Sequence, residues 1–209
     1  MCMETNKLIK RILQKAYEDG MGHIPSALSI LDTVWELYDK VMTPDDQFIL
    51  SKGHGVIALY AVLEEKGLLE WNSKLMGHPK RGGAILASTG SLGHGLPIAV
   101  GLAKAKKIKG ETGNVYVLVG DGECNEGTTW ESALIASHHK LDNLKVIVDY
   151  NHSTDRALEM GDIKAKFKAF GIDADVRNTT KGNGISFMQN DPSWHNRKLT
   201  ELEYLEAIK

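Results

Sequence analysis

Val115-Tyr-Val-Leu-Val-Gly-Asp-Gly-Glu-Cys-Asn-Glu-Gly127 begins as an unbroken apolar run and turns, at Gly120, into glycine and acid. Leu144-Lys-Val-Ile-Val-Asp-Tyr-Asn151 follows the same plan, an apolar run closed by Asp149 and Asn151. Runs without polar alternation mark strands covered on both faces, and residues 128–139 between them read as a helix. Strand, helix and strand in that order form a βαβ unit, hence a parallel sheet and an α/β fold.

Working outward, Leu8, Ile9, Ile12, Leu13 and Ala16 mark one face of a first helix, ended by Gly20. Leu28, Leu31, Val34, Trp35 and Tyr38 mark a second, and Val56, Leu59, Tyr60 and Leu63 a third. Residues 97–109 read as a fourth, with Pro97 in its first turn and lysines crowding its C-terminal end. Phe48-Ile-Leu50 is a short extended piece, and 72–95 reads as loop. Residues 163–170 form a short helix closed by Gly171, and the pattern weakens after Val176. There is no internal repeat and no dividing linker. The expectation is one domain over 1–209, with 177–209 a loop-rich tail.

The formal net charge of −2 gives no general attraction to nucleic acid or an anionic membrane. No apolar run approaches a membrane span, and the charged N-terminal stretch is no signal peptide. Cys2 and Cys124 give neither a disulfide framework nor metal spacing and read as reduced thiols in a cytoplasmic protein.

The unusual component is glycine, 21 of 209 residues, and four of the eight histidines directly follow one: His23, His54, His78 and His94. Any single pair is a turn with an incidental histidine; four on loops favour a shared ligand site. Ligands of open α/β sheets bind outside the carboxyl ends of the strands, where Asp121 and Asn151 should be neighbours. A carboxylate and an amide oxygen are hard donors, suited to Mg²⁺ or Ca²⁺ with phosphate oxygens. Taken alone, Asp121 also admits a reading as a helix cap, which Asn151 at the matching strand tip weakens. A Rossmann fingerprint fails, since Asn125 stands where its third glycine belongs. There is no Gly-Lys dipeptide for a P-loop and no nucleophile elbow. His138 and His139 are adjacent helix-terminal residues, a poor zinc pair.

Gly120-Asp-Gly122, with 28 residues to Asn151, resembles the thiamine-diphosphate motif of transketolase-like enzymes. Gly22-His-Ile-Pro-Ser26, Phe48-Ile-Leu-Ser-Lys-Gly-His54, Ser88-Thr-Gly-Ser-Leu-Gly-His-Gly95, Lys140-Leu-Asp-Asn-Leu144, Lys181-Gly-Asn-Gly-Ile-Ser-Phe-Met188 and Trp194-His195 extend the resemblance over nearly the whole chain. It implies the N-terminal, pyrophosphate-binding subunit of a split transketolase, with a three-layer α/β/α fold. It further implies that Asp121, Asn151 and the Ser153 carbonyl hold Mg²⁺ (or Ca²⁺). Gly120, Gly122, Glu123 and the Gly90-Ser91-Leu92 loop would meet thiamine diphosphate, and His54 would lie near its diphosphate. Glu126 would belong to a carboxylate path between paired active sites. His23, His78 and His195 would line the substrate channel, binding sugar hydroxyls and moving protons. The implied reaction transfers a two-carbon ketol unit from a ketose to an aldose, with the cofactor as electron sink. The partner would be a separate pyrimidine-binding subunit in an α2β2 heterotetramer, and the chain alone is expected to be inactive.

Two features depart from the resemblance. Family members run from the Lys166-Phe-Lys-Ala-Phe-Gly171 helix through a strand, an Asp-Gly-His-Asp turn, a helix and a further strand before the Thr-x-Lys-Gly-x-Gly loop. Here Asp173-Ala-Asp-Val-Arg-Asn178 runs almost directly into Thr179-Thr-Lys-Gly182. Roughly 30–40 residues, about a helix and a strand, are absent, which should expose a new sheet edge near the C-terminal end. His195 lies beyond this gap. Ser153 stands where an apolar residue is usual at the carbonyl ligand, and His94 where many relatives have Gln. Two other readings compete: a deoxyxylulose-phosphate-synthase-like thiamine enzyme, and a truncated, non-catalytic interaction subunit.

Overall fold

A computed structural model describes residues 3–155 and 157–209. Cys2 lies outside them. The chain forms two compact units, one of Met1–Val41, His54–His78 and Thr179–Lys209, the other of Met42–Gly53 and Pro79–Asn178.

The second unit carries the sheet. Strands β1 (Gln47–Leu50), β2 (Val115–Gly120), β3 (Leu144–Tyr150) and β4 (Asp175–Asn178) lie side by side in chain order, all parallel. This is the α/β, parallel-sheet class that the two apolar runs predict. Helices α4 (Gly95–Lys109), α5 (Gly127–His138) and α6 (Ile163–Ala169) belong to the same unit. Val115, Val117 and Val119 alternate onto one face and join Leu96, Ala99, Ala103, Ala133, Ala136 and Phe167 in a single core. Leu118 and Ile147, on the opposite face, are also buried, which is why neither strand shows polar alternation.

Strand β4 was not legible as a strand. Its inner edge pairs with β3 and its residues are exposed or half-buried, with Arg177 Nε 2.7 Å from Asp175 Oδ2. It forms the sheet edge expected from the shortened sequence, with its charges where edge strands carry them.

The first unit contains α1 (Met3–Asp19), α2 (Ile24–Glu36), α3 (Val56–Glu65) and α7 (Glu201–Ala207). The predicted apolar faces of the first three meet, and Ile12, Leu13, Ile30, Val34 and Ile57 are buried. The second helix widens into a π-helical turn at Leu37–Val41, which takes Tyr38 out of the α-helical register of its predicted face. Residues 179–199 are short 3₁₀ turns with Lys181, Ile185, Met188, Trp194 and Leu199 buried.

The junction of β1 with α4 is tight. A Cβ on Gly95 would lie 2.4 Å from the Ser51 Cα. Gly95→Ala should therefore destabilise the protein by about 1–3 kcal/mol in urea unfolding; an unchanged midpoint would show that the junction yields freely.

Candidate functional site

In the second unit, four loops meet at the carboxyl ends of the strands. Glu123, 1% exposed, draws three of them together. Its Oε1 accepts from Ser51 Oγ at 2.5 Å and from the Gly93 N–H at 2.9 Å, and its Oε2 accepts from the Gly120 N–H at 2.9 Å. Burial raises its pKa, and those donors oppose the rise. Ser51 Oγ in turn accepts from the Gly95 N–H, and Thr89 Oγ1 donates to the Leu50 carbonyl. The backbone of Gly90 lies so close to Gly53 that a Cβ there would sit 3.0 Å from the Gly90 nitrogen.

The second strand tip is set by a buried ion pair. Lys52 Nζ bonds Asp149 Oδ2, both side chains being almost fully enclosed. Asn151 Nδ2 donates to the same Asp149 oxygen at 3.0 Å, which fixes the amide and turns Oδ1 away. That Oδ1 and Asp121 Oδ2 accept the one Ser153 N–H, at 3.1 and 3.0 Å. The carboxylate of Asp121 and the amide oxygen of Asn151 therefore converge, as their positions after β2 and β3 predict. The register places Gly120 opposite Asp149.

These oxygens fit a hard divalent cation. Burial raises the pKa of Asp121, with Lys52 and the Gly122 N–H opposing it, so a cation there would supply charge that the site lacks. The backbone at Gly122 is open only because it is glycine: a Cβ would stand 2.8 Å from Thr154 Cγ2. Thr154 Oγ1 and Asn125 Oδ1 are buried without hydrogen-bond partners. Among the described residues, no group of three His, Cys, Asp or Glu side chains offers a rival metal cage.

In the first unit, four imidazoles gather from separate stretches of the chain. The ring of His23 lies 5.3 Å from His54, 6.2 Å from His78 and 5.4 Å from His195; His54 and His195 are 6.2 Å apart. Lys181 Nζ is 3.2 Å from His195 Nδ1. Desolvation, followed by the fields of His195, His78 and Lys181, pushes His23 down to about 4. The ring is neutral at physiological pH. An unfolded chain would bind this proton near 6.5, so the folded state loses stability as pH falls from about 6.5 to about 4.

The family model described as the transketolase, thiamine diphosphate binding domain, matches residues 15–190. The chain belongs to this family. An apulose-4-phosphate transketolase subunit of Phocaeicola vulgatus is 33% identical over 258 aligned residues, covering 99% of this chain and 92% of that protein. The protein of the same name from Actinobacillus succinogenes is 37% identical over 260, covering 97% and 94%. These alignments are longer than the 209 residues of this chain, in keeping with an internal shortening. The fold matches transketolase from Leishmania mexicana with a TM-score of 0.82 at 24% identity, over 99% of this chain and 41% of that one. The expected class, the thiamine-diphosphate-binding N-terminal type of transketolase subunit, stands on these matches.

Against the transketolase expectations, Asp121, Asn151 and Ser153 are brought together, and so are His23, His54, His78 and His195. His94 belongs to the second unit, where it is exposed, its Nδ1 2.9 Å from the Leu92 carbonyl oxygen. Gly90, Ser91 and Leu92 form an exposed loop, and Glu126 is exposed at the start of α5. Glu123 is turned inward, its carboxylate among Ser51, Gly93 and Gly120. Sequence reasoning missed Lys52, Asp149 and Lys181, although all three lie within or beside quoted motifs. Their signal was a charged residue directly abutting an apolar strand or a Gly-x-Gly loop.

Lys52→Met should leave Asp149 buried without its counter-charge, costing about 3–5 kcal/mol in urea unfolding. Lys52→Met combined with Asp149→Leu should recover most of that loss; strict additivity of the two changes would contradict the ion pair.

Proposed function

We propose that the chain is the cofactor-holding subunit of a transketolase that transfers a two-carbon ketol unit from a ketose to an aldose. The observation that carries the proposal is the single Ser153 N–H shared by Asp121 and Asn151 at the tips of β2 and β3. In this reading Asp121, Asn151 and the Ser153 carbonyl would hold Mg²⁺ (or Ca²⁺), which would supply positive charge for a diphosphate. Gly120, Gly122 and the Gly90-Ser91-Leu92 loop offer backbone that a ligand can approach closely. Thiamine diphosphate supplies, when bound, the electron sink for breaking a carbon–carbon bond. Glu123 acts as a positioning residue for the loops that it joins.

The imidazoles serve the sugar. His23, neutral at physiological pH, can accept a hydroxyl proton at one ring nitrogen and donate from the other. His78 and His195 bind hydroxyls beside it, and His54, the fourth imidazole of the group, is assigned to the diphosphate. Glu126, exposed at the start of α5, is assigned to the carboxylate path between paired sites.

The partner in this proposal is a pyrimidine-binding chain, in an α2β2 assembly. Support comes from the relatives from Phocaeicola and Actinobacillus, which are themselves named as single subunits of a transketolase and more than nine-tenths of whose length is matched. No helix among the described residues is long and apolar enough to cross a membrane. A cytoplasmic location is part of the same proposal, supported by the free, buried thiol of Cys124.

The test is reconstitution with the pyrimidine-binding partner, followed by assay of ketose and pyruvate donors. Ketol transfer to an aldose is expected, with Asp121→Ala lowering the rate by about 100-fold or more. Condensation from pyruvate would favour the deoxyxylulose-phosphate reading. A stable complex without turnover would favour the non-catalytic one.

A further inference from the structure

The tightest packing in the histidine group does not involve a histidine. A Cβ on Gly22 would lie 2.1 Å from Asn196 Oδ1 and 3.0 Å from the Asn196 carbonyl oxygen. Asn196 is thus seated directly on the Gly22 backbone. The next residue after Gly22 is His23, and the residue before Asn196 is His195; their rings are 5.4 Å apart. The seat is flanked by one further backbone hydrogen bond and one close approach of the same tail. The Gly182 N–H donates to the Pro25 carbonyl at 2.9 Å, and Lys198 Nζ reaches within 3.5 Å of where a Gly20 Cβ would be.

The backbone of His23 needs such support. It holds φ 58°, a left-handed conformation uncommon outside glycine. Its side chain makes no capping hydrogen bond to α2. Strain of this kind persists only where the surroundings over-determine the conformation, and here the surroundings are Asn196 on one side and the first turn of α2 on the other.

We propose that Asn196, by its seat on Gly22, is a positioning residue that sets the separation of the His23 and His195 imidazoles. The proposal rests on the transketolase reading only for what those imidazoles act upon. Asn196 itself need touch no substrate. Its effect is geometric: by resting on Gly22 it holds His195 beside His23, a ring faced also by His54, His78 and Lys181.

The experiment is a proton titration of His23 in the full chain, histidine-labelled and followed by NMR, with no cofactor or partner present. The wild-type midpoint is expected near 4. Gly22→Ala pushes the tail off its seat and should raise the midpoint by about one pH unit or more, towards the ordinary histidine value. Gly22→Ala with Asn196→Ala lets the new methyl occupy the space of the lost amide, and should return the midpoint at least halfway. If Gly22→Ala does not fold, Asn196→Ala alone should still raise the midpoint. An unchanged midpoint in the folded single variant overturns the proposal, as does a wild-type midpoint near 6.5. In the reconstituted pair, Gly22→Ala should lower kcat/KM for ketol transfer by about 10-fold or more while leaving thiamine diphosphate affinity unchanged. Should ketol transfer prove not to be the activity, the titration decides the positioning role regardless.

Discussion

A carboxylate deprived of water must be given donors, and Glu123 takes them from three segments. Ser51 follows β1, Gly93 precedes α4, and Gly120 closes β2. An unsatisfied buried carboxylate is costly, so these loops are held at their relative positions for as long as Glu123 is ionised and enclosed. The same logic operates one strand further on. Lys52 neutralises Asp149, Asp149 orients the amide of Asn151, and Asn151 and Asp121 then share the Ser153 N–H. The Asp121 and Asn151 oxygens at the carboxyl ends of the inner strands are therefore the end of a chain of buried polar contacts. Networks of this kind favour one arrangement strongly because partial satisfaction is penalised.

Much of this was legible in the sequence because it follows from one-dimensional pattern. Two apolar runs without alternation fix β2 and β3 as buried parallel strands. Asp121 and Asn151 each come directly after such a run, so their meeting at one edge needs only the parallel register. The Gly-His pairs were equally clear as a set, yet they did not divide themselves. His94 looks like His23, His54 and His78 in the sequence, yet it belongs to the other compact unit, an assignment that no local pattern reveals. Lys52 and Asp149 were illegible for a different reason: a charged residue at the end of a strand reads as solvent-exposed until its buried partner is known. Strand β4 was illegible because its residues have no apolar pattern, and pairing with β3 rather than intrinsic propensity makes it extended.

The internal shortening has a simple structural consequence. Helix α6 passes into β4, which lies parallel to β3, and the four strands remain contiguous. The oxygen donors come from the ends of β2 and β3, inside the sheet, whereas β4 lies at its edge. His195 and Lys181 lie after the shortened region in sequence, and they still join the other imidazoles. Their placement depends on the backbone attachments of the tail within its own unit, at Pro25 and Gly22.

The central claim is that the tips of β2 and β3 are built to hold a diphosphate through a divalent cation. Calorimetric titration of the chain with thiamine diphosphate, in Mg²⁺ and again in excess chelator, tests it most directly. The account predicts binding in Mg²⁺ that disappears when the cation is removed. Equal affinity in both conditions would contradict it.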